Sequence, residues 1–177
     1  MKITAIKQQV KNPERVSLFI DEKYNFSLSL DELIKHKLSK GDELASADLK
    51  RFKKISEDGK LRQRALEWLL NRPHSVREFR DYMYRKKADP ELTKALIKEF
   101  TEKKYLDDEK FSAWFIELQA RRGKSNRGLS AELFKKGINR ETVDKMLSEE
   151  AGNEAERLKI QIAKKSKLPK YQADQLK

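Results

Sequence analysis

Residues 69–83 read LLNRPHSVREFRDYM. The two leucines continue an apolar helical face that holds Ala65, Leu66 and Trp68. Arg72-Pro73-His74 stops that helix, because the residue before a proline is pushed out of the α region. Ser75-Val76-Arg77-Glu78 then has the spacing of a capping box, in which the serine side chain and a glutamate three residues on satisfy each other's backbone N–H groups. The helix that follows carries Val76, Phe79, Tyr82 and Met83 on one face. The stretch therefore joins two short helices of one small unit.

Downstream, Asp89-Pro90-Glu91 puts a cap, a proline and an early acid together, and so starts a third helix with Leu92, Ala95, Leu96 and Phe100. It ends near Tyr105. The same order then recurs. Asp107 caps a helix bearing Phe111, Trp114, Phe115 and Leu118, which Gly123 ends. Ser125–Lys136 holds Leu129 and Leu133 and closes on Gly137. Asn139 caps a helix with Val143, Met146 and Leu147. This is an internal repeat of roughly 45–50 residues with three helices per unit. In it Trp68 and Trp114 fall at similar places in the first helices, Phe79 and Leu129, then Met83 and Leu133, in the second. A third unit opens at Glu154 with Ala155, Leu158, Ile162 and Ala163. Leu168-Pro169 breaks it, and it is expected to be truncated at Lys177.

Upstream the period changes from helical to two. Val16, Leu18 and Ile20 alternate with Ser17 and Phe19, and Tyr24, Phe26, Leu28 and Leu30 alternate with Asn25, Ser27 and Ser29, which predicts paired strands around a turn at Asp21-Glu22-Lys23. Ile3–Val10 is a third strand, ended by Asn12-Pro13. Ser29–Glu32 is a second capping box, for a short helix to about Lys37. From Ser46 the pattern is helical, with one interruption at Gly59. The expected organisation is a small β-rich domain over 1–45, a connecting helix over 46–61, three-helix repeats over 62–105 and 106–150, and the start of a truncated third over 151–177. The fold class is mainly α: tandem three-helix repeats in an elongated array, preceded by a small antiparallel β-sheet.

Composition agrees with small units. The chain is 40% charged and 37% hydrophobic, too polar for one large core. Its net charge of +12 favours a polyanionic partner, or is simply a well-solvated surface. It has no cysteine, which excludes disulfides, thiolate metal sites and a thiol nucleophile, and its two histidines, His36 and His74, lack metal-ligand spacing. No cofactor is expected. No apolar run approaches a membrane span, so a cytoplasmic protein without membrane contact, monomeric when free, is expected. No phosphate-binding loop, Ser/His/Asp set or paired carboxylate stands out, so no enzyme activity is expected.

Three segments carry a family likeness. Ala65…Leu69-Leu70-Asn71-Arg72-Pro73-His74-Ser75-Val76-Arg77-Glu78-Phe79 resembles the first-repeat signature of the RecX regulatory proteins. Tyr105-Leu106-Asp107-Asp108-Glu109-Lys110-Phe111-Ser112 resembles the segment that opens their second repeat, and Gly123-Lys124-Ser125…Glu132-Leu133-Phe134-Lys135-Lys136-Gly137-Ile138 resembles the segment that follows it. The β-rich extension is similar to that of RecX proteins from Gram-positive bacteria. Tyr105, Lys87-Ala88 and Ser112 depart from the usual pattern at helix ends rather than on faces. The resemblance implies helix-turn-helix-like repeats stacked in an elongated curved array, and a modulator of RecA recombinase in DNA repair, recombination and the SOS response. Such a protein binds the RecA–single-stranded DNA filament and inhibits recombinase, ATPase and coprotease activity. The alternative is a direct nucleic-acid-binding protein that sets its helix-turn-helix-like repeats on the phosphate backbone.

The candidate binding residues are cations. Arg121, Arg122, Lys124 and Arg127 form an acid-free cluster at a helix junction. Arg72, Arg77, Arg80, Arg85 and Lys86 are the counterpart in the first repeat, some of them expected to pair with Glu78 and Asp81; Lys135 and Lys136 complete the set. Arg157 to Lys170 either extends the basic run or is a frayed end. Trp68, Trp114, Phe79, Phe111 and Phe115 have core spacing rather than that of stacking platforms. Asp107-Asp108-Glu109 is explained by a cap and first-turn acids, not a metal.

Overall fold

The structure, a computed structural model, describes residues 1–149 and, beyond them, Leu158, Lys159, Ile162, Ala163 and Ser166. The expected third repeat and the run from Arg157 to Lys170 lie, but for those five positions, outside the described residues. The chain divides into two compact units, Met1–Glu67 and the part from Trp68 onward.

The first unit is a three-stranded antiparallel sheet in the order β1 (Ile3–Gln8), β2 (Arg15–Ile20), β3 (Lys23–Ser29), with the helix α1 (Leu30–Lys35) after it. β1 stops two residues short of the expected Val10, which is fully exposed. The β2–β3 turn contains no glycine, yet Asp21 and Glu22 both take positive φ, 47° and 67°, as a two-residue hairpin turn requires. Lys2, just before β1, and Thr4 in it hold them there. Asp21 exchanges hydrogen bonds with Lys2, its N–H donating to the Lys2 carbonyl and its carboxylate accepting from the Lys2 N–H, both at 3.0 Å. Thr4 Oγ1 accepts from the Glu22 N–H at 2.9 Å. A register shift between Leu18 and Phe19 pairs Phe19 with Tyr24. Tyr24 therefore leaves the alternation that the sequence suggests and is 52% exposed, while Phe26 and Leu28 stay in the core with Val16, Leu18 and Ile20. The Ser29–Glu32 capping box forms in both directions.

α2 runs unbroken over Ser46–Leu70, through Gly59. Leu49 and Phe52 seal the sheet core from it, each such burial contributing roughly 1.5–3 kcal/mol. Gly59 marks a close approach, not a break. A Cβ there would lie 3.2 Å from Arg15 Nη1 and 3.4 Å from Glu32 Oε1.

The second unit holds the end of α2, from Trp68, and α3 (Val76–Arg85), α4 (Pro90–Glu102), α5 (Asp108–Ala120), α6 (Asn126–Lys135) and α7 (Arg140–Glu149). Each helix packs one apolar face inward. Phe79 meets Phe100 edge to face at 5.8 Å, and Phe111, Ile116, Leu129, Leu133 and Val143 form the core of the later helices. Caps Ser75 and Ser125 start helices of 10 residues each, fifty positions apart. That register aligns Phe79 with Leu129 and Met83 with Leu133, all fully buried. It does not align the tryptophans. Trp68 stacks on Tyr82 at 4.5 Å inside its own repeat, whereas Trp114 lies under the guanidinium of Arg72 from the other repeat, at 4.9 Å. The pattern matches aromatic residues that serve different contacts.

Candidate binding faces of the repeats

Two of the candidate cations, Arg72 and Lys136, pair at the joint between the repeats. Glu78 stands at its centre. Its carboxylate accepts from Arg72 Nη1 at 2.9 Å, from His74 Nδ1 at 3.1 Å and from Lys136 Nζ at 2.7 Å. Burial alone would raise the Glu78 pKa. The bonds from His74, Lys136 and Arg72 outweigh it and hold the carboxyl well below the usual carboxylate range. His74 is buried against the Trp68 ring, with centroids 3.5 Å apart. Ser75 Oγ accepts from the Glu78 N–H as the capping box requires, and also donates to the Lys136 carbonyl at 2.8 Å. The capping glutamate itself is turned to the joint.

Asp108 completes the joint. Its Oδ1 accepts from the Val76 N–H at 2.9 Å, one of the donors left open at the start of α3. Burial, and the charge of Asp107, raise its pKa against the opposing pull of the Val76 bond and of Arg80.

Arg72 and Lys136 are thus joint residues in this structure, and Lys124 pairs with Glu132 beside α6. Arg121 pairs with Glu117 in an exposed bond that contributes little. Arg77, Arg80, Arg85, Lys86, Arg122, Arg127 and Lys135 are exposed. Lys86 sits over the Tyr82 ring at 5.5 Å.

The exposed set follows the repeat. Arg77 and Arg127 are the second residues of α3 and α6. Arg85 and Lys135 close those helices. Tyr84 and Phe134, which precede them, are exposed aromatics, 85% and 43%. Sequence reasoning passed over this last pair. Its signal was that neither ring falls on the apolar face of its helix. Among the described residues no helix is long and apolar enough to cross a membrane.

A sheet followed by three-helix units that carry cations at matching positions defines a helical-repeat protein. Residues 1–45 match the model of the regulatory protein RecX N-terminal domain, and residues 107–147 match that of the RecX second three-helix domain. A regulatory protein RecX of Listeria innocua is 34% identical over 154 residues, 86% of this chain and 57% of the relative. One of Bacillus subtilis is 36% identical over 147 residues, 82% of this chain and 56% of the relative. A crystal structure of a regulatory protein RecX superposes with a TM-score of 0.74 at 22% identity, covering 88% of this chain and 77% of that one, and shows the shared fold. The chain belongs to the RecX family of regulatory proteins. It spans a little over half the length of these curated relatives.

Proposed function

We propose that this chain is a non-enzymatic regulator that binds the RecA–single-stranded DNA filament and restrains RecA's recombinase, ATPase and coprotease activities. The supporting observation is the repeated display. Arg77 with Tyr84 and Arg85, and Arg127 with Phe134 and Lys135, occupy equal places in two consecutive repeats. A ligand that is itself periodic gives each repeat the same partner surface. Engaging two such surfaces at once adds avidity without any new kind of contact. The cations suit the phosphates or acidic surfaces of such an assembly. In this reading the protein works in the cytoplasm, where the filament forms.

The test is to add the purified chain, well below the RecA concentration, to preformed RecA filaments on single-stranded DNA and to follow ATP hydrolysis. A progressive fall, absent with an equally basic control protein, is expected. Unchanged hydrolysis at matched concentrations contradicts the reading. A repeat array acting on DNA alone predicts instead equal binding with and without RecA, with a steep salt dependence.

A further inference from the structure

A second basic cluster lies within the first unit. Lys60 and Arg64 share one face of α2 with Gln63 and Glu67, at helical spacing of three and four. This face borders a cleft of about 430 Å³ whose other walls come from the β1–β2 connection, at Lys11, and from the sheet, at Tyr24. The volume lies within the roughly 300–1,000 Å³ range of ligand clefts. Arg15 forms its floor. It is 6% exposed and donates from Nη2 to the Ser27 carbonyl at 2.9 Å and to Ser27 Oγ at 3.2 Å. Among the described residues, Lys11, Lys60 and Arg64 form no salt bridge. Glu67 is the cleft's one acid, and it accepts from Gln63 Nε2.

The cleft's aromatic wall is Tyr24. Tyr24 is half exposed because the β2–β3 register shift takes it out of the core alternation, and it meets Phe19 edge-on at 6.1 Å. Lys7 Nζ lies 5.2 Å from the Phe19 ring centroid. Unpaired cations around an accessible ring are what an unstacked base and its flanking phosphates require. A duplex offers no free base face, and a cleft of this size admits a nucleotide rather than a helix. A carboxylate-rich peptide would use the cations and leave the ring idle.

We infer that this cleft is a binding site for single-stranded DNA, in which Lys11, Lys60 and Arg64 contact phosphates and Tyr24 stacks on a base. The inference stands apart from the filament reading, because it needs no RecA.

The test is fluorescence anisotropy of a labelled 20-nucleotide oligo-dT with the full chain and no RecA, over a series of salt concentrations. Lys60→Glu/Arg64→Glu is expected to weaken binding at least tenfold. Its milder form Lys60→Gln/Arg64→Gln is expected to lower the slope of log K against log salt by about 1.4, roughly 0.7 for each phosphate that is no longer neutralised. Tyr24→Ala is expected to weaken binding roughly fivefold or more and to leave the slope unchanged. Circular dichroism and the thermal midpoint control for folding, and the glutamine pair serves if the reversal unfolds. Four results each overturn the inference. They are absence of oligo-dT binding by the wild type, binding of a matched duplex as tight as that of oligo-dT, displacement by polyglutamate at equal charge, and wild-type binding by the folded variants. Because RecA is absent, failure here leaves the hydrolysis test of the filament reading untouched.

Discussion

The side chain of Arg77 lies against Gly137, so closely that a Cβ on residue 137 would sit 2.7 Å from Arg77 Cβ and 2.9 Å from its Cδ. Gly137 also has φ +81°, in the region where a side chain is strained. The contact ties a first-repeat cation to the turn that ends α6. Gly137→Ala should therefore cost more than the roughly 1 kcal/mol of an unstrained exchange, because positive φ and steric overlap add. Lys87 holds the same place in the first repeat with φ 54°, and Lys87→Gly should be neutral or slightly stabilising. Urea denaturation of both variants checks the pair. Equal stability of Gly137→Ala and wild type would mean that Arg77 moves aside freely.

Glu78 predicts a pH dependence. Its folded pKa is depressed, so the folded state takes up this proton less readily than the unfolded chain. The stability it contributes is full above the unfolded value, near 4.3, and is lost progressively as the pH falls below that. Glu78→Gln should lower stability at neutral pH by roughly 2–4 kcal/mol, since it leaves Lys136 and Arg72 facing a neutral group in a partly buried joint. The variant should also lose less stability on acidification than the wild type. Denaturation midpoints from pH 7 to 3 decide it, and parallel curves would remove Glu78 from the account.

Much of this was legible in the sequence. The Ser29–Glu32 box, the Asp89-Pro90 start and the fifty-residue register of Ser75 and Ser125 are local patterns whose causes lie within a few residues. What Glu78 does was not legible, because Lys136, 58 residues away, competes with the Ser75 N–H for the same carboxylate. The choice depends on how two repeats pack. For the same reason Lys136 read as a free surface cation although the joint uses it, whereas Arg72 belongs to the group expected to pair with Glu78 or Asp81 and does pair with Glu78. Tyr24 read as a core residue because a register shift leaves no mark on an alternating pattern. Gly59 read as an interruption because a glycine that makes room for Arg15 and Glu32 has the same letter as one that breaks a helix.

Asp108 should behave oppositely to Glu78. Burial raises its pKa, so the fold disfavours its charge, and the penalty is present in full once the pH exceeds the folded value. Asp108→Asn keeps an oxygen for the Val76 N–H and removes the charge, so it should leave stability at neutral pH equal or higher. Asp108→Ala strands that N–H and should cost roughly 1–3 kcal/mol. Thermal unfolding of the two variants separates the hydrogen bond from the charge. An asparagine variant as damaged as the alanine one would show that the charge itself holds the joint.

The repeated display makes a prediction that a single basic patch does not. If Arg77 and Arg127 meet equal surfaces on successive filament subunits, losing either removes one of two linked footholds and, with it, the avidity of the link. Arg127→Glu, and separately Arg77→Glu/Arg80→Glu, should each weaken inhibition of filament ATP hydrolysis, by roughly ten- to a hundredfold in the concentration needed. The triple change should cost less than the product of the two effects, because the avidity removed with the first display is no longer there to lose with the second. None of the three residues is buried, so circular dichroism should stay native. Wild-type inhibition by folded Arg127→Glu would exclude the second repeat's display from the filament interface. A triple variant whose loss equals the full product would show two independent footholds in place of one periodic grip.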